Sequence, residues 1–317
     1  MRLLVTGGAG YIGSVVTLRL LRAGHAVTVL DDLSTGFGDA VPAGAALVTG
    51  AVADAADVLG SGPQFDGVLH FAAKALVAES VAHPERYWHT NLAGTLALLD
   101  AMRQHAVPRL VFSSTAATYG QPTEIPITER APTAPTNPYG ASKLAVDMMI
   151  TSEAVAHGLG AVSLRYFNVV GAVDGYGERH ATETHLVPLT LRAARGTRPA
   201  LEVYGDDWPT PDGTCVRDYV HVADLAEAHL LALAGAEPGR HRIFNLGSGA
   251  GYSVLDVVEA VRRVTGRPVP TTVAPRRPGD PAVLVASSAL IRDELGWQPA
   301  RGLDEMVADA WAFEQGR

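Results

Sequence analysis

Cysteine is almost missing from this 317-residue chain. The single thiol, Cys215, cannot close an internal disulfide, and no Cys/His spacing of the zinc-binding kind occurs. No metal is expected, and the eleven histidines, scattered singly, read as surface or packing residues. Charge is also sparse, at 18% of residues, and the balance is acidic, with a formal net charge of −8. With no basic run and no basic stripe interleaved with aromatics, a nucleic-acid partner is not expected. No apolar run reaches the length that spans a bilayer, so no membrane partner is expected. The first strand starts almost at Met1, leaving no room for a positively charged leader. These absences together point to a soluble protein of the reducing cytoplasm.

Apolar residues are plentiful, at 47%, and can bury a large core. The length suits one large α/β domain with a smaller one appended. Arg2–Thr6 reads as a short buried strand, followed by Gly7-Gly-Ala-Gly10-Tyr-Ile-Gly13 and an apolar-periodic helix over 14–23. In that order Gly7 permits the tight turn, Gly10 admits a pyrophosphate to the backbone, and Gly13 lets helix pack on strand. The helix N-terminus offers free N–H groups to phosphate oxygens. A second strand, His25–Leu30, ends in Asp31-Asp32, where the dinucleotide fingerprint expects an acid. A carboxylate there accepts from the ribose hydroxyls and repels a 2′-phosphate, which favours NAD over NADP.

Further strands are expected at Ala46–Thr49, Gly67–Phe71, Arg109–Ser113 and Ala161–Tyr166, with helices at Pro84–His105 and Pro138–His157. Alternation of this kind predicts a Rossmann-type, doubly wound parallel sheet whose ligands sit beyond the carboxyl ends of its strands. Gly7–Gly13, Asp31-Asp32, Phe71–Lys74, Ser113–Thr115 and Phe167-Asn168 all fall there. The expected division is residues 1–168 for the dinucleotide and 169–317 mainly for a smaller α/β substrate lobe rich in Pro, Gly and acids. The helix Val222–Leu233 and the strand Arg242–Leu246 are expected to return to the main sheet, within 219–246.

Tyr139-Gly-Ala-Ser-Lys143 places a phenol and an ammonium four residues apart, just after Pro138, which suits a first helical turn. A free phenol titrates near pH ~10, so a neighbouring cation is needed to make it a usable base at neutrality. On this reading Lys143 lowers the pKa of Tyr139, which then moves a proton on and off a substrate hydroxyl.

With these stretches the chain resembles the extended short-chain dehydrogenase/reductase superfamily and, within it, the UDP-galactose (UDP-glucose) 4-epimerases. The matching segments also include His70-Phe-Ala-Ala-Lys74, Glu79-Ser80, Asn91–Thr95, Phe112–Thr115, Leu164–Asn168, Tyr204–Tyr219 and Arg276–Asp280, so the likeness covers almost the whole chain. It implies a homodimer through the helices near 84–105 and 138–157. It also implies an NAD-dependent isomerase in which Tyr139 takes the sugar 4-hydroxyl proton while hydride leaves C4. The resulting 4-keto sugar turns over and is reduced on its other face. Thr115 would bond the reacting oxygen and relay its proton.

The NAD site implied by the resemblance comprises Gly7, Gly10, Tyr11, Ile12, Gly13, Asp31, Asp32, Ser34, Thr35, Gly36, Ala51, Val52, Phe71, Ala72, Ala73, Lys74, Thr90, Ser113, Tyr139, Lys143, Tyr166 and Phe167. The implied UDP-sugar site comprises Thr115, Tyr139, Asn168, His185, Leu186, Val203, Tyr204, Arg217, Arg277, Asp280 and Leu284. Arg217 and Arg277 would meet the diphosphate, where guanidinium donors suit phosphate oxygens; their alternative is pairing with Asp218 or Asp280. The chain departs from its relatives at Val15, usually histidine; at Ala51, commonly an acid near the adenine; at Lys74, one position early; and at His185, often asparagine. Leu284 falls where residue size gates the sugar pocket, and its intermediate bulk leaves UDP-N-acetylhexosamines and UDP-pentoses as alternatives. A 4,6-dehydratase would need an acid pair after Thr115, where Ala116-Ala117-Thr118 stands. A non-catalytic NAD sensor would be expected to lose Tyr139, Lys143 or Thr115, and all three are present.

Overall fold

The computed structural model describes residues 1–277 and 279–316. Seven strands form one parallel sheet in the spatial order His241–Leu246, Gly160–Tyr166, Arg109–Thr115, Gly67–His70, Arg2–Thr6, Ala26–Asp31 and Ala46–Thr49. The chain runs outward from Arg2–Thr6 to one edge, then returns to build the other half from Gly67–His70 outward. The crevice therefore opens between these two strands, beyond their carboxyl ends. The central strands are apolar on both faces, as Leu3, Leu4 and Val5 at 0% exposure illustrate, because helices cover both sides, whereas the edge strand Ala46–Thr49 is exposed.

Tyr11–Arg22 and Val222–Ala234 pack on one face with Val15, Val16, Leu20, Leu225 and Ala226. The other face is covered by Gly94–Gln104 and Pro138–His157 through Leu98, Leu99, Met102, Val146 and Ile150. The first helix starts at Tyr11, three residues earlier than its apolar period predicts, because the glycine turn passes directly into it with Gly10 as the N-cap residue. The expected single helix over 84–105 divides into Pro84–Tyr87, a π-helical turn Trp88–Ala93 and Gly94–Gln104. Periodicity does not show the change, but Asn91 gives a reason for it. From the wide turn its side chain accepts from the Lys74 N–H (2.8 Å) and donates to the Lys74 carbonyl (3.0 Å) and Ser142 Oγ (3.1 Å).

A third apolar cluster lies away from the sheet, where Leu186–Arg195, Val254–Thr265 and Leu303–Gln315 pack through Val187, Leu191, Val257, Val261, Met306 and Trp311. Around it are sheets of only two or three strands, such as Leu201–Tyr204 with Thr271–Ala274, and Val216–Arg217 between Tyr252–Ser253 and Val283–Leu284. The strand His241–Leu246 forms one edge of the main sheet, and the helix Val222–Ala234 packs on its face.

Candidate active site

Asn137 starts the helix Pro138–His157, its side-chain oxygen accepting from the Gly140 N–H at 2.9 Å. A Cβ at Gly140 would lie 2.5 Å from the Ala117 carbonyl, so glycine lets this helix approach the turn that follows Thr115. The approach brings the Tyr139 phenol beside the Thr115 side chain, which favours the ionised phenol. Thr115 Oγ1 also accepts from the Ala117 N–H (3.1 Å), so it serves its own turn as well. One helical turn on, Lys143 is 3% exposed and donates from Nζ to the Ser113 carbonyl at 2.7 Å.

The expected pKa relation does not hold in this arrangement. Burial raises the Tyr139 phenol above its ordinary value, and the Thr115 side chain offsets this only in part. Burial likewise lowers Lys143 to about 7, against the charge of Asp147, which favours its protonated form. Desolvation dominates because the ammonium is almost wholly withdrawn from water, so Lys143 is only partly charged at neutrality. Asp147, four residues beyond Lys143, is absent from the sequence-derived site. It accepts from Arg165 Nη2 (3.0 Å) and Ser114 Oγ (3.2 Å) in a buried pair behind the strand end. The i, i+4 spacing from Lys143 is the signal that could have found it.

Beyond the first strand, Gly7 adopts φ +75°, and a Cβ there would lie 2.4 Å from the Ala72 nitrogen. Gly13 is as constrained, with an added Cβ 2.2 Å from the Gly7 carbonyl oxygen. Gly10 differs: its Cβ would meet only that same oxygen, at 3.4 Å. Its other side is open, and no side chain caps the helix that starts at Tyr11. An open glycine at an uncapped helix N-terminus fits a pyrophosphate. Tyr11 donates from its hydroxyl to the Gly171 carbonyl (2.6 Å), tying the turn to the second lobe, while Ile12 packs on the adjoining core.

Asp31 holds the turn as well as facing the crevice, accepting from the Ala9 N–H and the Leu33 N–H at 2.9 Å each. Asp32 is exposed and accepts from the Ser34 N–H (2.9 Å), with Thr35 and Gly36 following in the same loop. Ala51 and Val52 follow the edge strand Ala46–Thr49, where Asp54 accepts from the Ala51 N–H at 2.8 Å. Phe71, Ala72, Ala73 and Lys74 leave the fourth strand. The Phe71 and Ala72 N–H groups share the Thr6 carbonyl (2.9 and 3.1 Å), and Thr90 lies in the π-helical turn. Tyr166 hydrogen-bonds His229 Nε2 (2.5 Å), and Phe167 donates from its backbone to Leu246 (3.2 Å).

On the lobe side, Asn168 donates through both its N–H (3.0 Å) and its side chain (2.8 Å) to the Asp218 carbonyl. Arg217 pairs in register with Leu284 and donates to the Val216 and Pro281 carbonyls at 2.9 Å each. Its acidic neighbour is Asp280, at 3.8 Å, and not Asp218. The Asp218 carboxylate instead joins three loops, accepting from Ser248 N (2.6 Å), Ser248 Oγ (2.7 Å), Gly249 N (2.9 Å) and Ala286 N (3.0 Å). Arg277 lies 3.7 Å over the Tyr204 ring, and Val203 beside it is buried. Leu186 opens its helix, and His185 precedes it as the N-cap residue. The His185 ring is engaged by Glu178 (2.5 Å) and stands 3.5 Å from Glu183, with His180 against it. The reading of every histidine as solitary is thus corrected, because the fold gathers two of them with two acids.

Residues 3–247 match the family described as the NAD dependent epimerase/dehydratase family. Two relatives named UDP-glucose 4-epimerase are similar over nearly their full lengths. That of Corynebacterium glutamicum is 60% identical over 99% of this chain and 95% of its own. That of Streptomyces lividans is 61% identical over 98% and 95%. The crystal structure of UDP-glucose 4-epimerase from Brucella ovis in complex with NAD superimposes with a TM-score of 0.93 at 44% identity, covering 98% of this chain and 97% of that one. The glycine turn, the Thr115, Tyr139 and Lys143 constellation and the full-length likeness agree that this chain belongs to the NAD-dependent epimerase/dehydratase family.

Proposed function

We propose that the protein is an NAD-dependent isomerase that interconverts UDP-galactose and UDP-glucose through a 4-keto sugar. The observation that carries this reading is the hydroxyl pair of Thr115 and Tyr139 at the end of a central strand, with Lys143 buried behind it. The dinucleotide, when bound, supplies the hydride acceptor and donor and, in its oxidised form, a positive charge that favours phenolate. Gly7, Gly10, Tyr11, Ile12 and Gly13 would hold its pyrophosphate, Asp31 and Asp32 its adenosine ribose, and Phe71 to Lys74 the far side of the crevice. Thr115 passes the sugar 4-hydroxyl proton to Tyr139 and later returns it, so the proton stays within one pair of hydroxyls. Lys143 fixes the Ser113 carbonyl and with it the strand end that carries Thr115.

Residues 169–317 would bind the UDP moiety, with His241–Leu246 structurally part of the dinucleotide half. Arg217 and Arg277 are the diphosphate donors in this reading, and Asp280 and the Tyr204 ring hold them meanwhile. Asn168, His185, Leu186 and Val203 would line the uridine side, and Leu284, beside Arg217, the sugar. The exposed Leu96, Met148 and Val155, at 48%, 65% and 81%, lie on the two helices assigned to a homodimer contact. The purified protein should convert UDP-galactose into UDP-glucose without added cofactor. Dinucleotide binding with no isomerisation across a panel of UDP-hexoses, UDP-N-acetylhexosamines and UDP-pentoses would leave a binding protein instead.

A further inference from the structure

Glu178, His180, Glu183 and His185 follow one another as E-x-H-x-x-E-x-H, and the fold closes them into one cluster in which one donor atom from each lies within 4.8 Å of the rest. Each imidazole faces both acids. His180 Nδ1 is 3.3 Å from Glu178 and 3.5 Å from Glu183, and His185 Nδ1 is 2.5 Å and 3.5 Å from the same two carboxylates. The acids are the sheltered members, with side chains 10% and 2% exposed. Among the described residues, neither is in an ion pair with lysine or arginine. Arg179, between them in sequence, turns away to Asp39 and the Phe37 ring. Two sheltered carboxylates need positive charge close by, which the two imidazoles supply when protonated and a divalent cation would supply in place of those protons.

A tetrahedral ion with nitrogen and oxygen ligands at about 2.0–2.2 Å has ligand-to-ligand edges of roughly 3.3–3.5 Å. Three of the four imidazole–carboxylate distances fall near that length, with Glu183 offering one oxygen to each imidazole, so a single shared ion needs a small turn of the Glu183 carboxylate; the fourth is a hydrogen bond that opens once a metal replaces its proton. An N2O2 set without thiolate suits zinc-class divalent ions better than calcium or magnesium, which prefer all-oxygen shells. We propose that Glu178, His180, Glu183 and His185 form a four-coordinate site for a zinc-class divalent cation that ties the segment 178–185 to the start of the helix Leu186–Arg195. The ion would sit close to the segment that meets the dinucleotide turn, since Glu178 and Gly171 line one small cavity and Tyr11 donates to the Gly171 carbonyl (2.6 Å).

The test uses the full-length protein, stripped with a chelator and titrated with Co2+ and then Zn2+. One Co2+ per chain should give the intense visible absorption of a four-coordinate ion, and Zn2+ should displace it. His180→Ala should abolish that spectrum and weaken Zn2+ binding by roughly 100-fold or more, as expected for loss of a ligand. Zn2+ should raise the melting temperature of the parent and not of the variant. Glu183→Gln should behave likewise; if it fails to fold, His180→Ala alone decides, because that side chain is partly exposed and lies outside the cores. Failure of Co2+ to saturate at one per chain, a weak six-coordinate spectrum, or equal Zn2+ affinity in His180→Ala would overturn the site. None of these readouts depends on sugar turnover, so the outcome is independent of the proposed epimerase activity.

Discussion

The dinucleotide half and the lobe half of the crevice position their side chains by different physics. On the sheet side the strands run four to seven residues, all parallel and, apart from the exposed edge strand Ala46–Thr49, mostly buried, and placement follows from backbone packing. Gly7, Gly13 and Gly140 sit where any side chain would strike a carbonyl or amide of the neighbouring element. On the lobe side the strands are two to four residues long, and polar side chains hold the loops, with Asp218 joining the segments at 218, 248 and 286. The contrast suits the division of labour proposed above. Hydride and proton transfer need fixed geometry, whereas a diphosphate can be gripped by arginines that move off an acid or an aromatic ring.

Removing the phenol is the severest challenge to the sheet half. Tyr139→Phe should retain fold and dinucleotide but lose roughly 10²–10⁴-fold in turnover, the usual worth of a positioned acid–base group. Near-normal activity of that variant in a steady-state assay would refute the assignment. Asp218→Ala is the matching challenge to the lobe. With four hydrogen bonds lost and buried N–H groups left open, it should cost ~2–4 kcal/mol in denaturant unfolding. Its effect on UDP-sugar KM should exceed its effect on dinucleotide content. Equal losses of both would show that the two halves are not built separately.

The smallest effect expected concerns Lys143. It titrates at about 7 in the folded chain, against an ordinary value of 10.5. Between those values the unfolded chain binds more protons, so this residue's destabilisation is complete below about pH 7 and fades as pH rises towards 10.5. Lys143→Met should therefore be the more stable protein at pH 6, and its advantage should shrink above pH 7 by up to ~1 kcal/mol per pH unit. A gap that stays constant from pH 6 to 9 would place the folded pKa elsewhere.

Strand ends were the most legible part of the molecule. Short apolar runs closed by glycine or acid can be read without coordinates, and five of them line one edge of the sheet. The helix over 84–105 was legible only in outline, because a π-helical turn preserves the apolar pattern while changing where Asn91 points. Asp147 was hidden because an acid within a long helix normally faces water, and only the meeting with Arg165 makes it a buried partner. The cluster at 178–185 escaped because its segment has no helical or strand period that would place its members side by side.

By itself the sequence determined the class of sheet, the turn built for a dinucleotide and the placement of Tyr139 and Lys143 on one helix face, because these depend on local periodicity and on glycine at fixed offsets. Only the tertiary structure decided their electrostatics. Burial turned the expected acidic phenol into a weaker acid and the lysine into a partly neutral one, since desolvation depends on every neighbour that excludes water. It also decided that Arg217 faces Asp280, and that the two acids and two histidines of the loop 178–185 converge on one point.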